Sequence, residues 1–435
     1  MSTFLFVSIA VEAHTTNPMP IAARLIERGH TVLWYAGKAF HERIARIGAI
    51  PLPYVAAPDF SGHDLFDFFP QLAGRSGPKV IGDAFDQIFV GHARARVADL
   101  RRIIATHKVD AMLTEGLSYG VGLVSELEGI PWATFGDGPL PALGDPDVPP
   151  FGPGMLPRRG AVGRLRNRVV ATLAEKVLFR PAENTYRQIR AELGLPRDHR
   201  SALDNVTSPM LHMHASTPSF EYPHPSLPEH VRWIGALRPE PPTWEPPVWW
   251  ARLDSADVPI VHVTQGSLRP DLQELIVPAL HALADEPVLT VVTTGGATAA
   301  AVEAAYGSTL PTNCLVVPWI PYDELLAKAS VFVTNGGYTG VTLALAHGVP
   351  IVQAGTTEEK AEIAARIQWT GVGLRLGRTH PSPEKIRGAV RRVLGEPSFR
   401  AAAARVQAEM AQHNAGNEGA DLLLQLAARA RLKSP

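Results

Sequence analysis

The chain has 435 residues, of which 46% are apolar and 19% charged, with 41 Lys or Arg against 42 Asp or Glu. This length and composition indicate a globular protein of two or three domains, each with its own core. A formal charge of -1 gives no bulk attraction for nucleic acid or for an anionic membrane surface, and no tract of five or more Lys or Arg occurs.

The single cysteine, Cys314, excludes an intramolecular disulfide framework and a zinc site built on several cysteines. The first residues, MSTFLFVSIAVEAHTT, contain no basic n-region. Their apolar run of about ten residues is too short to span a bilayer. We therefore expect a cytoplasmic protein without stable membrane insertion.

Short β-rich runs alternate with helical patterns along most of the chain. In the first half they are TFLFVSIAV, NPMPIAARLIERGH, TVLWYAG, VDAMLTEG, SYGVGLVSELEG and IPWATFG. This alternation predicts βαβ units and a parallel sheet with helices on its faces. Residues 60–100 and 150–200 fit the rhythm less well, and we interpret them as loop and helix insertions.

The segment 217–247 is dense in proline, which disfavours helix interiors and central strands, so we interpret it as a linker. After it the β-rich runs resume as PIVHVTQGS, PVLTVVTTGG, CLVVPWIP, SVFVTNGG and VPIVQAG. The sequence therefore predicts an α/β protein with two Rossmann-like βαβ domains, residues 1–216 and 248–415, that face each other across a cleft. Residues 416–435 are expected to form a helix that returns to the first domain.

The stretch SVFVTNGGYTGVTLALAHGVP, from Ser330 to Pro350, predicts a strand, a glycine turn and a helix that starts at Tyr338. The free N–H groups and the dipole of a helix N-terminus favour a phosphate, and glycines let the backbone approach it closely. The turn matches neither a Walker A loop nor a GxGxxG dinucleotide fingerprint. From these residues alone, a tight βα turn without a ligand is an equal alternative.

The segment around this turn, from Pro318 to Gly377, resembles the donor-binding segment of family 1 glycosyltransferases of the GT-B fold. Bacterial natural-product and macrolide-type enzymes of secondary metabolism and antibiotic biosynthesis are the most similar. Weaker features recur in the N-terminal turn, in IGAL of the linker and in the Gly-Ser after the first strand of the second half. The resemblance implies transfer of a sugar from a nucleotide-diphosphate sugar, usually UDP or dTDP, without a further cofactor.

The resemblance places the donor contacts in the second domain. Trp319 would stack on the base, because a flat indole can cover a uracil or thymine face. Ser267 would add a hydroxyl donor, and Glu359 and Lys360 stand where the family usually has Asp-Gln contacting sugar hydroxyls. The residues around the diphosphate would be Asn335, Gly336, Gly337, Tyr338, Thr339 and Gly340.

Three positions depart from the family pattern. Asn335 replaces the usual histidine of the turn, and its amide can still donate a hydrogen bond. Leu343 stands where the family has the glutamate that binds ribose. Lys360 also adds a positive charge beside the sugar. The base and the sugar of the donor are therefore left open.

A histidine follows the first predicted strand, in His14-Thr15-Thr16-Asn17-Pro18. With Asn17 as helix N-cap and Pro18 at the first helical position, His14 would lie at the strand exit and face the cleft. Neutral histidine can accept a proton near neutral pH. In the family the motif His-x-x-Asn-Pro carries the general base, which assigns this role to His14.

A carboxylate at the end of a later strand orients the base in the family. Glu115 stands at that place, and Asp137 in TFGDGPLP is the second candidate. The implied reaction is a direct displacement with inversion, in which the helix N-terminus stabilises the leaving diphosphate in place of a metal. We predict no metal site, because Asp145-Pro146-Asp147 mimics an Asp-x-Asp metal motif only within a Pro/Gly-rich loop. His212 and His214 are interpreted as packing residues.

The N-terminal region forms the acceptor pocket in the family, which assigns Phe60, Phe66, Phe85 and Asp137 to acceptor binding. Aromatic residues there indicate a hydrophobic small-molecule acceptor, such as a polyketide, a macrolide, a flavonoid-like phenol or a lipid. Ordinary core packing of these phenylalanines is the alternative.

Three other functions stay open. A catalytically silent GT-B protein could activate a partner glycosyltransferase, which the replacements at Asn335 and Leu343 favour and the intact His14 motif opposes. A sugar-nucleotide epimerase would need no acceptor. A dinucleotide oxidoreductase is disfavoured, because GxGxxG is absent after the first strand. The oligomeric state cannot be read from the sequence.

Overall fold

The computed structural model describes residues 1–63, 65–72, 78–197, 201–239, 244–266 and 271–433. Within them lie two parallel sheets, of seven and six strands, with the orders β3-β2-β1-β4-β5-β6-β7 and β10-β9-β8-β11-β12-β13. The strands of the first sheet are β1 Thr3–Val7, β2 Thr31–Tyr35, β3 Ile50–Leu52, β4 Ala111–Glu115, β5 Trp132–Gly136, β6 His212–His214 and β7 Val231–Trp233. Those of the second are β8 Ile260–Thr264, β9 Leu289–Thr293, β10 Cys314–Val317, β11 Val331–Thr334, β12 Ile351–Gln353 and β13 Gly373–Arg375.

Helices cover both faces of each sheet. Those of the first half are α1 Glu12–Thr16, α2 Met19–Glu27, α3 His41–Arg46, α4 Leu65–Phe68, α5 Pro78–Ala84, α6 Ala93–Thr106, α7 Val121–Glu128, α8 Gly160–Leu173 and α9 Arg180–Glu192. Those of the second half are α10 Ala251–Asp254, α11 Ile276–Leu283, α12 Ala299–Tyr306, α13 Tyr322–Leu326, α14 Tyr338–Ala346, α15 Lys360–Thr370, α16 Pro383–Gly395, α17 Pro397–Met410 and α18 Ala415–Lys433. Two π-helical segments, Phe85–Val90 and Ala174–Leu178, extend α5 and α8.

The central strands are buried along their whole length. In β4, β8 and β9 every residue is buried, so the polar side chains of these strands are buried as well as the apolar ones. β1 pairs in parallel with β2 on one side and β4 on the other, with Phe6 opposite Trp34 and Leu113. This architecture confirms the predicted α/β fold with two Rossmann-like domains.

The Pro-rich segment is more than the linker that the sequence predicted. Its Pro-poor part carries β7, Val231–Trp233, which pairs in parallel with β6 and forms the edge of the first sheet. The prolines at 223, 225 and 228 precede this strand, and the following ones come after it. Because an edge strand needs ladder hydrogen bonds on one side only, a short Pro-free stretch suffices for it.

The last helix, α18, packs on α2 of the first domain. Ala420, Leu423 and Ala427 are buried in the same apolar cluster as Ile21 and Leu25. Gly419 allows the close approach, because a Cβ atom there would lie 2.6 Å from Ile21 Cδ1. Among the described helices, none is long and apolar enough to cross a membrane.

Candidate active site

The carboxyl end of β1 leads into a tight turn and the short helix α1, on which His14 lies. Thr15 and Thr16 of this helix are buried, and the Thr15 hydroxyl donates to the carbonyl of Ile9 at 3.1 Å. These contacts fix the buried side of the turn, whereas the His14 side chain keeps 23% of its surface exposed. The histidine therefore sits at the strand end, as predicted, but within a helical turn.

Asp137, directly after β5, is the carboxylate beside His14. Its Oδ2 lies 3.1 Å from His14 Nδ1, which is close enough for an ion pair. The angle at the N–H group does not meet the geometry of a hydrogen bond. The Asn17 amide donates to the same carboxylate oxygen at 3.3 Å. With Asp137 at Nδ1, the other ring nitrogen, Nε2, is the one left for an acceptor proton.

Glu115 does not contact His14 in this way, so the structure corrects the predicted pairing. Its carboxylate is buried and accepts from the backbone N–H groups of Ile9 at 2.9 Å, Leu117 at 2.6 Å and Ser118 at 2.7 Å. The extra methylene relative to aspartate lets the carboxylate reach back to these amides. Glu115 therefore holds the turn after β1 in place and adds only a longer-range charge to His14.

Asn17 also differs from its predicted role as a helix cap. Its backbone is helical and its side chain makes no cap to α2. Instead the amide donates to Thr339 Oγ1 at 3.0 Å, as well as to Asp137. Because Thr339 belongs to α14 of the second domain, this amide joins the His14 turn to the glycine turn across the cleft.

Burial and charge act on His14 in opposite directions. Desolvation disfavours the imidazolium, but the nearby carboxylates of Asp137, Glu115 and Glu359 outweigh it and raise the pKa of His14 to about 9. Burial works against the Asp137 carboxylate, yet His14 and Asn17 lower its pKa. Glu359 belongs to the second domain, so part of the electrostatic stabilisation of the His14 imidazolium comes from across the cleft.

The glycine turn before α14 presents an open helix N-terminus. The Gly336 N–H donates to Thr334 Oγ1 at 3.1 Å, and its φ of 96° is a conformation that favours glycine. A Cβ atom at Gly337 would meet open space, whereas one at Gly336 would collide with Gln353. The first N–H groups of a helix lack intrahelical partners, so this turn offers donors to an anion.

Two side chains assigned to the diphosphate have other contacts. The Asn335 amide donates to the carbonyl of Gln265, so it is committed to the neighbouring loop. The Tyr338 side chain is buried and its hydroxyl donates to Glu221 at 2.7 Å. Only the backbone of Tyr338 is placed to face the turn. Gly340 packs near Phe332, where a Cβ atom would lie 3.5 Å from the ring.

The two residues at the start of α15 have different surroundings. Glu359 directly precedes α15 of the second domain, and burial raises its pKa. Lys360 is buried, and its Nζ donates to the carboxylate of Glu358 and, at 3.3 Å, to the hydroxyl of Thr357. Its charge is therefore neutralised by its own neighbour.

Trp319 lies after β10 and is 49% exposed, so it is not a core residue. Leu343 is buried in the apolar cluster that includes Tyr338 and Phe332, and it presents no polar group. Ser267 lies outside the described residues.

The phenylalanines assigned to the acceptor belong to packed clusters. Phe60 is buried against Phe69, Leu72 and Ala10, close to the turn that carries His14. Phe85 packs edge-on against Tyr119 and Phe179, with ring centroids 5.8 Å and 5.2 Å away. The side chain of Phe66 lies outside the described part of the chain. Phe60 is thus near the candidate site, and Phe85 belongs to the core beneath it.

A buried polar network between the domains was not foreseen from the sequence. Arg366 of α15 bonds to Glu221, lies 3.0 Å from Glu362 and donates to the carbonyl of Leu140 at 2.9 Å. Arg366 and His214 outweigh the effect of burial and lower the pKa of Glu221 to about 2. The spacing of Glu362 and Arg366 on one helix is a weak sequence signal, but nothing local announces Glu221 as a partner.

The same network explains the two histidines of β6. His214 Nε2 lies 3.0 Å from the Tyr338 hydroxyl and 3.4 Å from Glu221, and His212 Nδ1 lies 2.8 Å from the Thr134 hydroxyl. The network reaches the loop after Asp137, because Glu362 Oε1 accepts from the N–H groups of Gly152 and Gly154. It therefore connects α14, α15 and the loop beside Asp137.

Within the described ranges, no group of three or more His, Cys, Asp or Glu side chains could hold a metal ion. Asp145 accepts from the N–H of Asp147 at 2.9 Å, and Asp147 pairs with Arg164 at 2.8 Å. Their carboxylates thus have protein partners.

Comparison with known proteins places this geometry in a family. The chain is 40% identical over 414 residues to 4'-demethylrebeccamycin synthase of Lentzea aerocolonigenes, covering 95% of this chain and 96% of the relative. The chain is a family 1 glycosyltransferase of the bacterial natural-product type. It is also 32% identical to UDP-glycosyltransferase 2 of Phaeomoniella chlamydospora over 98% of this chain and 95% of that one.

Further matches agree with this family. The family described as erythromycin biosynthesis protein CIII-like, C-terminal domain, matches residues 292–426 of this glycosyltransferase. The calicheamicin glycosyltransferase CalG4 has a similar structure, with a TM-score of 0.74, 20% identity and full coverage of both chains. The glycosyltransferase VinC in complex with dTDP gives a TM-score of 0.69 and 21% identity over 98% of this chain and all of that one. These solved structures confirm the GT-B fold.

Proposed function

We propose that this glycosyltransferase inverts the anomeric configuration, with His14 as general base and a hydrophobic small molecule as acceptor. The observation that carries the proposal is the pair of His14 and Asp137, which faces the N-terminus of α14 through the contact of Asn17 with Thr339. A base on one domain and an anion-binding turn on the other are the two elements that a direct displacement requires.

In the proposed step, an acceptor oxygen attacks the anomeric carbon of the sugar while His14 Nε2 takes the proton of that oxygen. The bond between the anomeric carbon and the diphosphate oxygen breaks, and its electron pair leaves with the nucleoside diphosphate. Asp137 stabilises the imidazolium that forms. The N–H groups at Gly337, Tyr338 and Thr339 would stabilise the leaving diphosphate without a metal.

The donor would be a UDP- or dTDP-sugar. The name of the fungal relative, a UDP-glycosyltransferase, favours UDP, whereas the complex of VinC with dTDP favours dTDP. Trp319, with half its surface exposed, would stack on either pyrimidine. Glu359 would accept from sugar hydroxyls, since it directly precedes α15 on the second domain and its carboxylate and His14 act on each other electrostatically.

The acceptor side rests on the position of the Phe60 cluster beside the His14 turn and on the name of the relative from Lentzea aerocolonigenes, a synthase of 4'-demethylrebeccamycin. Both support an apolar aglycone of natural-product type. We assign no acceptor contact to Phe85, because its ring is enclosed by other aromatic residues.

A mass-spectrometric transfer screen tests the proposal. UDP- and dTDP-sugars are crossed with phenols, macrolides and lipids, using the wild type and His14→Ala. We expect a sugar adduct from the wild type, with a rate at least about 100-fold lower for His14→Ala and unchanged nucleotide binding. Equal rates would exclude His14 as the base.

The configuration of the product is read by NMR coupling constants at the anomeric carbon, and retention would contradict the displacement. A silent auxiliary protein remains the second candidate, because Leu343 removes the expected ribose acceptor. That function predicts nucleotide binding without any product across the panel, together with a rise in the activity of a partner glycosyltransferase.

A further inference from the structure

Helix α8 and its π-helical extension, residues 160–178, carry an apolar stripe on the protein surface. The stripe consists of aliphatic side chains that are between 48% and 69% exposed: Val162, Leu165, Val169, Leu173 and Val177. Their spacing of three or four residues places them along one side of the helix. The residues that are buried in α8 are Gly163 and Asn167, which lie on a different side of the helix from the stripe.

The same segment is strongly basic, which the overall charge of the chain conceals. Residues 158–180 contain seven Lys or Arg and a single acidic residue, Glu175, so their formal charge is +6 in a chain of net charge -1. Arg164 pairs with Asp147, and Arg166 donates to the carbonyl of Leu156. Within the described chain, no ion pair involves the other basic residues of the segment: Arg158, Arg159, Arg168, Lys176 and Arg180.

We propose that the stripe of α8 docks reversibly on an anionic lipid surface. A helix with an exposed apolar side and basic flanks lies in the plane of such a surface, where the aliphatic side chains leave water and the basic residues face the head groups. The segment of 19 residues is about 28 Å long, long enough to lie along the interface as one unit.

The charge argues against a second copy of the chain as the occupant. A symmetric dimer through this stripe would bring the basic flanks of the two copies together, and like charges at an interface repel. An opposite charge is required, and anionic lipid supplies it.

The shape and the side chains favour lipid over an acidic protein. The stripe consists of valine and leucine on the outer surface of a helix. It contains no tryptophan, tyrosine or methionine, which are the residues that typically anchor protein partners in pockets. A fluid lipid surface needs no complementary pocket. The docking surface does not depend on the proposed transfer mechanism.

The test is sedimentation of the full chain with vesicles. We expect the wild type to bind vesicles of phosphatidylglycerol and phosphatidylcholine, to bind pure phosphatidylcholine at least about tenfold more weakly, and to be released by high salt. Leu165→Glu should lower the binding to anionic vesicles about tenfold or more. Ala171→Glu is the matched control: it adds the same charge to an exposed position on another side of α8, and it should lower binding much less.

The folding of each variant is checked by circular dichroism and by UDP or dTDP affinity, which should equal that of the wild type. Equal binding of both vesicle types, no binding to either type, or equal loss in Leu165→Glu and Ala171→Glu would each overturn the proposal. Sedimentation velocity without lipid adds one more outcome: a stable dimer that Leu165→Glu dissociates would assign the stripe to a second copy and reject lipid.

Discussion

The Asn17 amide donates to the hydroxyl of Thr339 at 3.0 Å, over a separation of 322 residues. One residue belongs to the turn that carries His14 and the other to the first turn of the helix that would hold the diphosphate. A single hydrogen bond therefore joins the proposed base to the proposed leaving-group site.

Thr339→Val removes this bond while preserving the size of the side chain. We expect the KM for the donor to rise about three- to tenfold, because one neutral hydrogen bond contributes about 1 kcal/mol. The pH dependence should stay the same, since Asp137 keeps its contact with His14. Thr342→Val is the control, because its hydroxyl donates to Tyr338 O within the same helix. If both variants had the same KM as the wild type, Thr339 would have no part in donor binding.

The rate should depend on pH through His14. Its pKa of about 9 means that the free enzyme carries an imidazolium near neutral pH, which cannot accept a proton. Hence kcat/KM should rise with pH and level off above about 9. In Asp137→Asn the largest stabilising charge is lost while burial remains, so the apparent pKa should fall and kcat should decrease.

Initial rates of the wild type and Asp137→Asn between pH 5.5 and 10 measure this shift, with buffers held at constant ionic strength. Glu115→Gln is an informative comparison, because Glu115 acts on His14 only from a distance and through the fold of the turn. A larger fall in the apparent pKa for Glu115→Gln than for Asp137→Asn would return the orienting role to Glu115.

Trp319→Ala should weaken nucleotide binding. The loss of one base stacked on an aromatic ring costs about 1–3 kcal/mol, or roughly 5- to 150-fold in Kd. Isothermal titration with UDP and dTDP measures the change. Trp369→Ala serves as control, because Trp369 is 39% exposed and lies against Tyr222, away from the glycine turn. An unaltered Kd for Trp319→Ala would reject stacking.

Arg366→Met should destabilise the protein strongly. The guanidinium is buried between Glu221 and Glu362, and its removal leaves two carboxylates without their partner. Breaking such a buried pair costs about 3–5 kcal/mol. Urea unfolding measures the effect, with Arg392→Met as control, because Arg392 pairs with Glu396 four residues away, both side chains are exposed, and such surface pairs contribute little to stability. Similar losses for both variants would contradict the special role of the buried network.

The sequence was sufficient for the fold because the strands are short apolar runs with a regular spacing. The sequence also predicted that His14 follows β1 and that the glycine turn precedes α14. Both positions lie where an apolar run ends and a helical pattern begins. Family 1 membership was recognisable from the segment around that turn, and the relatives confirm it.

Side-chain partners were harder to foresee. Glu115 is not the partner of His14, because its carboxylate accepts from the backbone N–H of Ile9, in the turn after β1. Asn17 does not cap a helix, because its amide donates to Thr339 of the second domain. The Tyr338 hydroxyl points away from the turn, because it donates a hydrogen bond to the buried carboxylate of Glu221 in the Pro-rich segment. None of these contacts is local, so neither periodicity nor spacing could reveal them.

The close packing of Gly419 on Ile21 links the C-terminal helix α18 to the N-terminal region that carries His14. α2 starts two residues after Asn17, and α18 supports α2 from behind. A bulky residue at 419, or a chain shortened before residue 415, would leave α2 unsupported and let the His14 turn drift from Asp137. Helix α18 therefore supports the position of the proposed base. We expect its disruption to lower kcat first, while the affinity for the nucleotide is kept.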